Sequence, residues 1–390
     1  MTTLRIGIVG AGVAGTAAAL LLSKQGHNVT LLERAPLLGP VGAGVLLQPL
    51  GQLVLDRMGL LEPVIAHAEP IHELHVDLKR GKTLMRLPFH AANIQQHAYG
   101  IHRGDLFTTL YQAAQQAGVT VITNTCIEGI QQTSNTVTLT SNQQPFGPFD
   151  LVIAADGNRS TIRSLLTIKK RETHYAHGAL WYIGTLHAIE KKLYQVVHGP
   201  NHLMGLLPMG QGRCSFFWGL TEHHYQRWQE KGLPAWKQTM VDHCHTCERL
   251  LAPVQDWKDL RFTTWKHVRL QQHHQGRIVL IGDAAHAMSP HLGQGVNLGL
   301  LDAWTLAQCL KYDSIEASLR QYQQQRRQHL QYYGAITYAL TPFFQSDFPV
   351  LGWLRNLGLP ILSRLPFVRP QMALTMAGLK AGFLPGKLSL

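Results

Sequence analysis

A glycine-rich turn between a strand and a helix opens the chain and constrains its fold more than any other feature. Residues 4–9 form a short apolar run typical of a buried strand, and the Ala- and Leu-rich residues 14–24 are typical of a helix that Gly26 ends. Residues 29–32 have the pattern of a second strand. Because a strand, a helix and a second strand in this order require a parallel pair, the sequence predicts an α/β fold.

The turn itself has the pattern G-x-G-x-x-G, with glycines at positions 10, 12 and 15. In dinucleotide-binding folds the first glycine allows the tight turn, the second lets a pyrophosphate approach, and the third lets helix and strand pack. Glu33 ends the second strand, where an acid binds the hydroxyls of an unphosphorylated adenosine ribose. The pattern predicts binding of FAD or NAD, and the alternative is a glycine turn in another α/β fold.

Two later segments favour FAD. One is an apolar strand that runs into Asp156-Gly157, and the other is an apolar strand that runs into Gly282-Asp283. Asp283 ends its strand on the ligand side of the sheet, where its carboxylate can hold the polyol of a long dinucleotide. Further on, the motif Gly293-Gln294-Gly295 lets backbone N–H groups approach a flat ring at a helix start, where partial positive charge favours electrons on that ring.

Taken in order, these three segments resemble the three fingerprints of class A flavoprotein monooxygenases. That family includes para-hydroxybenzoate hydroxylase, salicylate hydroxylase and the ubiquinone-biosynthesis hydroxylases. The fingerprints together span nearly the whole chain. The sequence has one G-x-G-x-x-G, so we expect NAD(P)H to dock transiently rather than to occupy a second Rossmann domain, as it does in this family.

The resemblance implies a set of residues around FAD. Arg103 would contact the flavin phosphates and ribityl chain, Asp283 would hold the ribityl hydroxyls, and Asp156-Gly157 would serve both FAD and NAD(P)H. Residues 41–45, from Val41 to Val45, correspond to the family's mobile flavin-side loop. The full set of expected cofactor-binding residues is Gly10, Gly12, Ala14, Gly15, Glu33, Arg34, Gly44, Val45, Arg103, Asp156, Gly157, Arg163, Gly282, Asp283, Pro290, Gly293, Gln294, Gly295, Val296 and Asn297.

The resemblance also implies a reaction. FAD would be reduced by NAD(P)H, would capture O₂ as a C4a-hydroperoxide, and would transfer one oxygen atom to a small aromatic or quinonoid substrate. Pro290 and His291 are the candidates at the reacting ring, His291 because it directly follows the proline. Candidates for the substrate wall are Gln48 and the aromatic residues of the second lobe, and the alternative for any one of these aromatic residues is ordinary sheet core. The aromatic candidates are Trp181, Tyr182, Phe216, Phe217 and Trp218.

The predicted architecture is α/β, with a Rossmann-like FAD-binding domain, an inserted antiparallel β-sheet substrate domain and a C-terminal helical segment. The long Gln- and Arg-rich helix is predicted over residues 314–333. The expected segments are FAD-binding domain 1–70, 101–170 and 275–340, substrate domain 71–100 and 171–274, and C-terminal tail 341–390.

Rival functions remain on the same fold. An oxidase or dehydrogenase fits the FAD motifs, a flavin halogenase is disfavoured because no W-x-W-x-I-P segment is present, and a non-catalytic binding protein would have no use for Asp283. The choice between a soluble aromatic acid and a prenylated phenol as substrate stays open. The His243–Cys247 segment contains C-x-x-C but no second ligand pair, so we expect an incidental helix surface and no metal.

The net charge of the chain and its C-terminal tail lead to expectations about its binding partners and localisation. The net charge of +12 comes from scattered residues, which argues against nucleic acid, and the N-terminus shows no signal-peptide pattern, so we expect a cytoplasmic protein. The tail after Asp347 has five basic residues and no acid, with many large apolar side chains. It resembles the tail of the ubiquinone-biosynthesis hydroxylases. It would contact a membrane peripherally, or pack over the substrate lobe or in a homodimer.

Overall fold

Two β-sheets organise the structure, a computed structural model that describes residues 2–39, 42–79, 81–92, 94–186, 190–311 and 314–388. Val41 of the predicted flavin-side loop lies outside these ranges. The strands are β1 (Arg5–Val9), β2 (Asn28–Leu32), β3 (Gly44–Leu47), β4 (Glu69–Ile71), β5 (Glu73–Leu78), β6 (Thr83–Pro88), β7 (Ala98–His102), β8 (Thr120–Ile122), β9 (Gly129–Gln132), β10 (Val137–Ser141), β11 (Gln144–Phe149), β12 (Leu151–Ala154), β13 (Lys170–Thr185), β14 (Lys192–His198), β15 (His202–Pro208), β16 (Arg213–Thr221), β17 (Arg261–Leu270), β18 (His274–Gln275) and β19 (Ile278–Leu280). The helices are α1 (Val13–Lys24), α2 (Pro49–Arg57), α3 (Leu61–Ile65), α4 (Arg103–Gln116), α5 (Thr161–Leu165), α6 (Glu222–Lys231), α7 (Leu233–His243), α8 (Thr246–Leu251), α9 (Asp283–His286), α10 (Gly295–Cys309), α11 (Ile315–Phe344), α12 (Pro349–Leu362) and α13 (Val368–Met376).

The first sheet has the strand order β18-β19-β12-β1-β2-β8 and is parallel except for β18. Its strands are almost entirely apolar because both faces are covered, by α1 and α10 on one side and by the small β9–β11 sheet on the other. From β1 the chain continues to β2, which pairs with one edge of β1, while β12 pairs with the other edge of β1. The predicted α/β fold is confirmed, and the strand order creates a crevice at the carboxyl end of β1, where ligands of such sheets bind.

The second sheet has the order β17-β13-β16-β15-β14-β5-β6, so two distant parts of the chain form it together. Strands β5 and β6 form an antiparallel hairpin. The sheet is antiparallel, as predicted, except for one pair, since β5 pairs with β14 in parallel. Parallel neighbours need a long crossover, and the chain between these two strands returns to the first sheet and supplies it.

The faces of this second sheet have different partners. Side chains alternate along each strand, so Phe216 and Trp218 point to the outer face, where they pack with Trp236 of α7. These two substrate-wall candidates, together with Tyr182, therefore belong to the core between the outer face and the helices. Cys247 is fully buried in the same outer core, and the expectation of an incidental helix surface is therefore wrong for it. Within the described ranges, no group of three or more His, Cys, Asp or Glu side chains is arranged to hold a metal ion.

Helix α11 continues to Phe344, eleven residues beyond its predicted end, and crosses the expected boundary of the C-terminal tail. It continues because Thr337 and Thr341, one helical turn apart, are buried against the rest of the molecule. After α12 and α13 the chain returns to the core, where Ala377 and Leu379 are buried. No helix in the described part of the chain combines the length and the apolar character that crossing a membrane requires.

Burial lowers the pKa of several histidines. The values fall to about 4 for His202, His273 and His291 and to about 3 for His329. In the unfolded chain these rings have an ordinary pKa near 6.5, so the unfolded state takes up protons at a pH where the folded state does not.

We therefore expect the FAD-free protein to lose stability as pH falls from about 6.5 towards 4, by up to about 1.4 kcal/mol per pH unit for each such histidine. Thermal unfolding followed by circular dichroism between about pH 7.5 and about pH 5 measures this loss. The variant His329→Gln should show a shallower fall. A melting temperature that stays constant over this range would contradict the expectation.

Candidate functional site

Four strands of the first sheet end side by side. Val9, the last residue of β1, is in register with Leu32 and with Ala154, and Ala154 is in register with Leu280. The polar and glycine motifs of the sequence follow these strand ends directly. The fold thus brings the three distant fingerprints to one edge of one sheet.

The glycine turn fits a pyrophosphate. Gly10 has φ +102°, and an added Cβ would lie 2.5 Å from the Ala155 carbonyl oxygen. A Cβ on Gly15 would lie 2.0 Å from the Gly10 carbonyl oxygen, whereas a Cβ on Gly12 would meet no atom within 4 Å. Helix α1 starts after Gly12 without a side-chain cap or an acid in its first turn, so its N–H groups are available to an anion.

Two alanine substitutions should separate folding from cofactor binding. Gly15→Ala should destabilise the FAD-free protein by about 1–3 kcal/mol, because helix α1 must move off the turn. Gly12→Ala, whose φ of −74° suits alanine, should unfold like the wild type but bind FAD about tenfold or more weakly, because its methyl group occupies the phosphate position. Thermal unfolding without FAD and a fluorescence titration with FAD measure the two effects. Equal FAD affinity in Gly12→Ala and the wild type would contradict this assignment.

Glu33 is held across the same turn. Its Oε2 accepts a hydrogen bond from the Ala11 N–H at 2.7 Å, and its Oε1 accepts one from the Ala35 N–H at 3.0 Å. The carboxylate is therefore fixed at the edge of the crevice beyond β2, where an adenosine ribose would reach it. The neighbouring Arg34 side chain is exposed.

Asp156 and Arg163 have protein partners of their own. Asp156 accepts hydrogen bonds from the Ser160 hydroxyl and the Ile162 N–H, which caps α5, and burial raises the pKa of this carboxyl. The buried Arg163 guanidinium donates to Glu172, to the Asn158 carbonyl and to the backbone carbonyl of Ala284. We propose that Arg163 serves the cofactor by positioning the backbone that follows Asp283 rather than by touching the cofactor.

The Gly282-Asp283 turn lies between α1 and α10. Gly282 has φ +57°, and an added Cβ would lie 3.1 Å from the Ala14 Cβ, so the turn packs directly on α1. The Asp283 side chain is exposed and close to Gly295, the first residue of α10. An exposed carboxylate at this place can accept hydrogen bonds from the hydroxyls of a polyol, as the sequence predicts. Val296 follows as a half-buried residue of α10.

A buried aspartate that the sequence analysis did not single out supports this turn. Asp302 is fully buried on α10 and accepts hydrogen bonds from the Gly282 N–H at 2.8 Å, from His286 at 2.5 Å and from the Arg326 Nε–H at 2.7 Å. Burial alone would raise the pKa of Asp302, but its partners His286 and Arg326 hold it well below the ordinary value. The carboxylate is therefore ionised and fixes the backbone of the turn.

The network continues to the C-terminal tail. The Arg326 Nη1 donates to the His329 Nδ1 at 3.0 Å, so the His329 Nε2 carries the proton and donates to the Gly378 carbonyl at 3.0 Å. The Tyr333 hydroxyl donates to the Thr375 carbonyl. The tail is thereby tied to the helix that supports the Gly282-Asp283 turn.

Two side-chain amides hold the 3-10 turn Pro290–Leu292, which we call the flavin turn, and the residue that follows it. The Gln48 Nε2 donates to the Leu292 carbonyl at 2.9 Å, and the Asn297 Nδ2 donates to the Leu46 and Gly293 carbonyls at 3.1 Å. Gln48, a predicted substrate contact, is fully buried in this arrangement. The geometry supports a positioning role for it beneath the flavin turn.

The other predicted flavin-binding residues, Gln294, Gly44, Val45 and Arg103, contact the C-terminal tail, the second sheet, the main core and Gly42. The Gln294 Nε2 donates to the carbonyls of Thr375 and Met376 at 3.1 Å, so the tail also supports this segment. Gly44 lies against the second sheet, where its N–H donates to the Ser215 hydroxyl, and the half-buried Val45 packs on the main core. The exposed Arg103 begins α4 beside this strand and contacts Gly42.

His291, on the flavin turn, has a defined tautomer. The Thr341 hydroxyl donates its single proton to the Thr337 carbonyl at 2.7 Å, so it must accept from the Ser289 hydroxyl at 2.8 Å. Ser289 in turn must accept from the His291 Nδ1–H at 2.9 Å. The His291 Nε2 therefore carries a lone pair, is shielded from solvent and has no hydrogen-bond partner among the described residues.

The space around His291 is lined by aromatic and neutral groups. The Phe344 ring lies 5.9 Å from the His291 ring, and the Tyr175 hydroxyl lies beside Ser289 and Thr341. On the inner face of the second sheet, Trp181 and Phe217 are cross-strand partners with ring centroids 5.5 Å apart. Their strand neighbours Leu180, Phe216 and Trp218 lie in the outer core, so these two predicted substrate-wall residues lie on the opposite face of the sheet.

Comparisons with known proteins agree with this geometry. A family model described as an FAD binding domain matches residues 3–333. The chain is 27% identical over 376 residues to the aurachin C monooxygenase/isomerase of Stigmatella aurantiaca, covering 91% of this chain and 93% of that protein. It is 25% identical over 366 residues to the 2-heptyl-3-hydroxy-4(1H)-quinolone synthase of Pseudomonas aeruginosa, covering 90% and 92%.

Among solved structures, HpxO of Klebsiella pneumoniae complexed with FAD and uric acid shares the fold, with a TM-score of 0.80 at 18% identity, covering 95% of this chain and 97% of that one. The family match covers both sheets and every fingerprint described above. The chain therefore belongs to the family of class A FAD-dependent aromatic monooxygenases.

Proposed function

We propose that this FAD-dependent monooxygenase hydroxylates an electrically neutral aromatic or quinonoid ring that carries a hydroxyl or a ring N–H. One observation carries the proposal, the shielded and unpartnered lone pair of the His291 Nε2 beside the flavin turn. A buried acceptor without a partner costs free energy, and a substrate O–H or N–H donor would satisfy it.

FAD, when bound and reduced by NAD(P)H, supplies one oxygen atom of O₂ to the ring, and the other atom leaves as water. The residues of the chain orient the ring and move a proton. The His291 Nε2 accepts a hydrogen bond from the substrate O–H or N–H and takes its proton as the oxygen atom adds to the ring, while its Nδ1–H stays on Ser289. The ring gains electron density as that proton leaves, which favours attack by an electrophilic oxygen.

The electrostatics of the site favour a neutral substrate over an aromatic acid. Burial lowers the pKa of His291 to about 4 and also lowers the pKa of His177, so both rings are neutral at pH 7. Arg213, on the same strand as Phe217, is paired with Asp105 at 2.6 Å. A buried carboxylate needs a cationic partner, and these residues do not offer one that is free.

The names of the two relatives support the same substrate class. One name describes a quinolone with a hydroxyl group and a heptyl chain, and the other enzyme acts in the chemistry of aurachin C. We infer that this chain accepts a neutral bicyclic or phenolic ring with an apolar substituent, stacked against Trp181 and Phe217.

Flavin reduction tests the proposal. The FAD-loaded protein is mixed anaerobically with NADH or NADPH and, in parallel, with an alkylated 4(1H)-quinolone, an alkylated phenol or 3-hydroxybenzoate, and the visible flavin absorbance is followed. A neutral ring should accelerate reduction and, in air, yield a product heavier by one oxygen atom. Acceleration by the carboxylate alone would overturn the neutral class. Reduction without any oxygenated product would indicate an oxidase or dehydrogenase, and failure to bind FAD would indicate a binding protein.

We also infer that the C-terminal segment contacts either a membrane surface or a second copy of the chain. Its exposed apolar side chains, which include Trp353, Leu357 and Phe367, support a peripheral membrane contact or a homodimer.

A further inference from the structure

Helix α12 carries its large apolar side chains on the outside. Val350, Trp353, Leu357 and Ile361 follow one another at helical spacing and are 66%, 74%, 63% and 62% exposed. A surface helix of a soluble domain normally buries such a stripe and exposes polar residues. In α12 this arrangement is reversed.

The buried side of α12 fixes this orientation. A Cβ on Gly352 would lie 3.1 Å from the Pro200 nitrogen, so the helix packs closely on the turn between β14 and β15. Arg355 is buried, donates to the Phe343 carbonyl at 3.0 Å and lies over the Phe344 ring. Burial lowers the pKa of its guanidinium to about 10. Because the polar residue is anchored inside, the apolar stripe cannot turn inward without breaking these contacts.

The segments that flank the stripe in the sequence carry exposed apolar side chains and basic residues. Phe348 before the helix and Phe367 after it are 70% and 87% exposed. Arg364, Arg369 and Lys387 are exposed nearby in the sequence, and the chain has no Asp or Glu after Asp347.

We propose that this face, formed by Phe348, Val350, Trp353, Leu357, Ile361 and Phe367 with Arg364 and Arg369, docks on an anionic lipid surface. Apolar side chains enter the boundary between headgroups and acyl chains, Trp prefers that boundary, and arginines contact lipid phosphates. A second copy of the chain would bring the same positive charges together, and like charges across an interface are unfavourable. The charge pattern therefore selects anionic lipid over a homodimer.

Co-sedimentation of the FAD-loaded protein with vesicles tests the proposal. We expect binding to vesicles of phosphatidylcholine with about 30% phosphatidylglycerol and much weaker binding to pure phosphatidylcholine. The triple variant Trp353→Gln/Leu357→Gln/Ile361→Gln should bind at least about 100-fold more weakly. Arg364→Gln/Arg369→Gln should lose about fivefold for each arginine. The control Leu37→Gln, which removes an even more exposed apolar side chain elsewhere, should bind like the wild type.

Equal vesicle binding by the wild type and the triple variant would overturn the proposal, as would no binding to anionic vesicles. Sedimentation velocity without lipid tests whether a second copy of the chain covers this face instead. A wild-type dimer that the triple variant converts to a monomer, without vesicle binding by either, would assign the face to self-association and overturn the lipid assignment.

A conservative variant keeps the test independent of folding. Brominated lipids quench tryptophan that enters the bilayer boundary, so they should quench the wild type more than Trp353→Phe, which keeps an apolar ring at this position. Equal quenching of the two proteins would place Trp353 outside the lipid and contradict the proposal.

Discussion

Replacing Asp302 with asparagine is expected to lower the free energy of unfolding by about 3–5 kcal/mol and to reduce the fraction of protein that holds FAD. The loss is large because the buried Arg326 guanidinium would keep its charge without a carboxylate partner. The Gly282 N–H would also lose its ionised acceptor. Chemical denaturation of the FAD-free protein measures the first effect, and flavin content after purification measures the second.

A double-mutant cycle tests whether the Asp302–Arg326 pair is the cause. Asp302→Asn/Arg326→Met removes both charges and should cost less than the sum of the single substitutions, by about 0.5–3 kcal/mol. The exposed Asp283 is the matched control because it flanks the same Gly282. Asp283→Asn should weaken FAD binding while changing the unfolding of the FAD-free protein by less than about 0.5 kcal/mol. A cost below about 1 kcal/mol for Asp302→Asn would show that the network does not hold the turn.

The cofactor half of the site could be predicted because its signals are local. Each fingerprint is a short apolar strand followed by residues that only a tight turn or an anion requires, and parallel strands bring such ends to one edge. Gly10 has a positive φ and Gly15 approaches backbone closely, so the glycine pattern follows directly from steric demand.

The supporting contacts could not be predicted in the same way, because they join parts of the chain that no local pattern connects. His329 reaches Gly378, and Gln294 reaches Thr375. One signal was present in the sequence, namely an aspartate inside the otherwise uncharged helix α10. A charged residue on a buried helix face needs a partner, but the sequence does not tell which of the many basic residues supplies it.

The strand pairing of the second sheet could not be predicted for a different reason. Alternating apolar residues identify its strands, yet the pairing of β5 with β14 depends on where the long intervening chain returns. Gln48 illustrates the same point at the scale of one side chain. Its place shortly after the flavin-side loop predicts a substrate contact, whereas only the packed structure reveals the Leu292 carbonyl to which its amide donates.

His291→Asn is expected to lower the rate of product formation by about 100- to 10,000-fold while FAD binding and reduction by NAD(P)H persist. The reason is the lone pair on the His291 Nε2, which accepts the substrate proton in the proposed function. Without that acceptor the ring stays protonated and reacts slowly with the electrophilic oxygen. Raising the pH towards the pKa of the substrate hydroxyl should partly restore the variant, because solvent then removes the proton. A purely structural role for His291 would not produce this recovery.

Thr341 provides the matched pair of variants for this prediction, because its hydroxyl sets the tautomer through Ser289. Thr341→Ser keeps the hydroxyl and should retain product formation within about threefold. Thr341→Val leaves the Ser289 proton free to turn towards the His291 Nδ1, so that the Nε2 becomes a donor, and about tenfold of the rate should be lost. Rapid-quench measurement of product after mixing the reduced protein with O₂ and substrate gives each rate. Equal rates for the two Thr341 variants, or a His291→Asn rate within about threefold of the wild type, would show that His291 is not the proton acceptor.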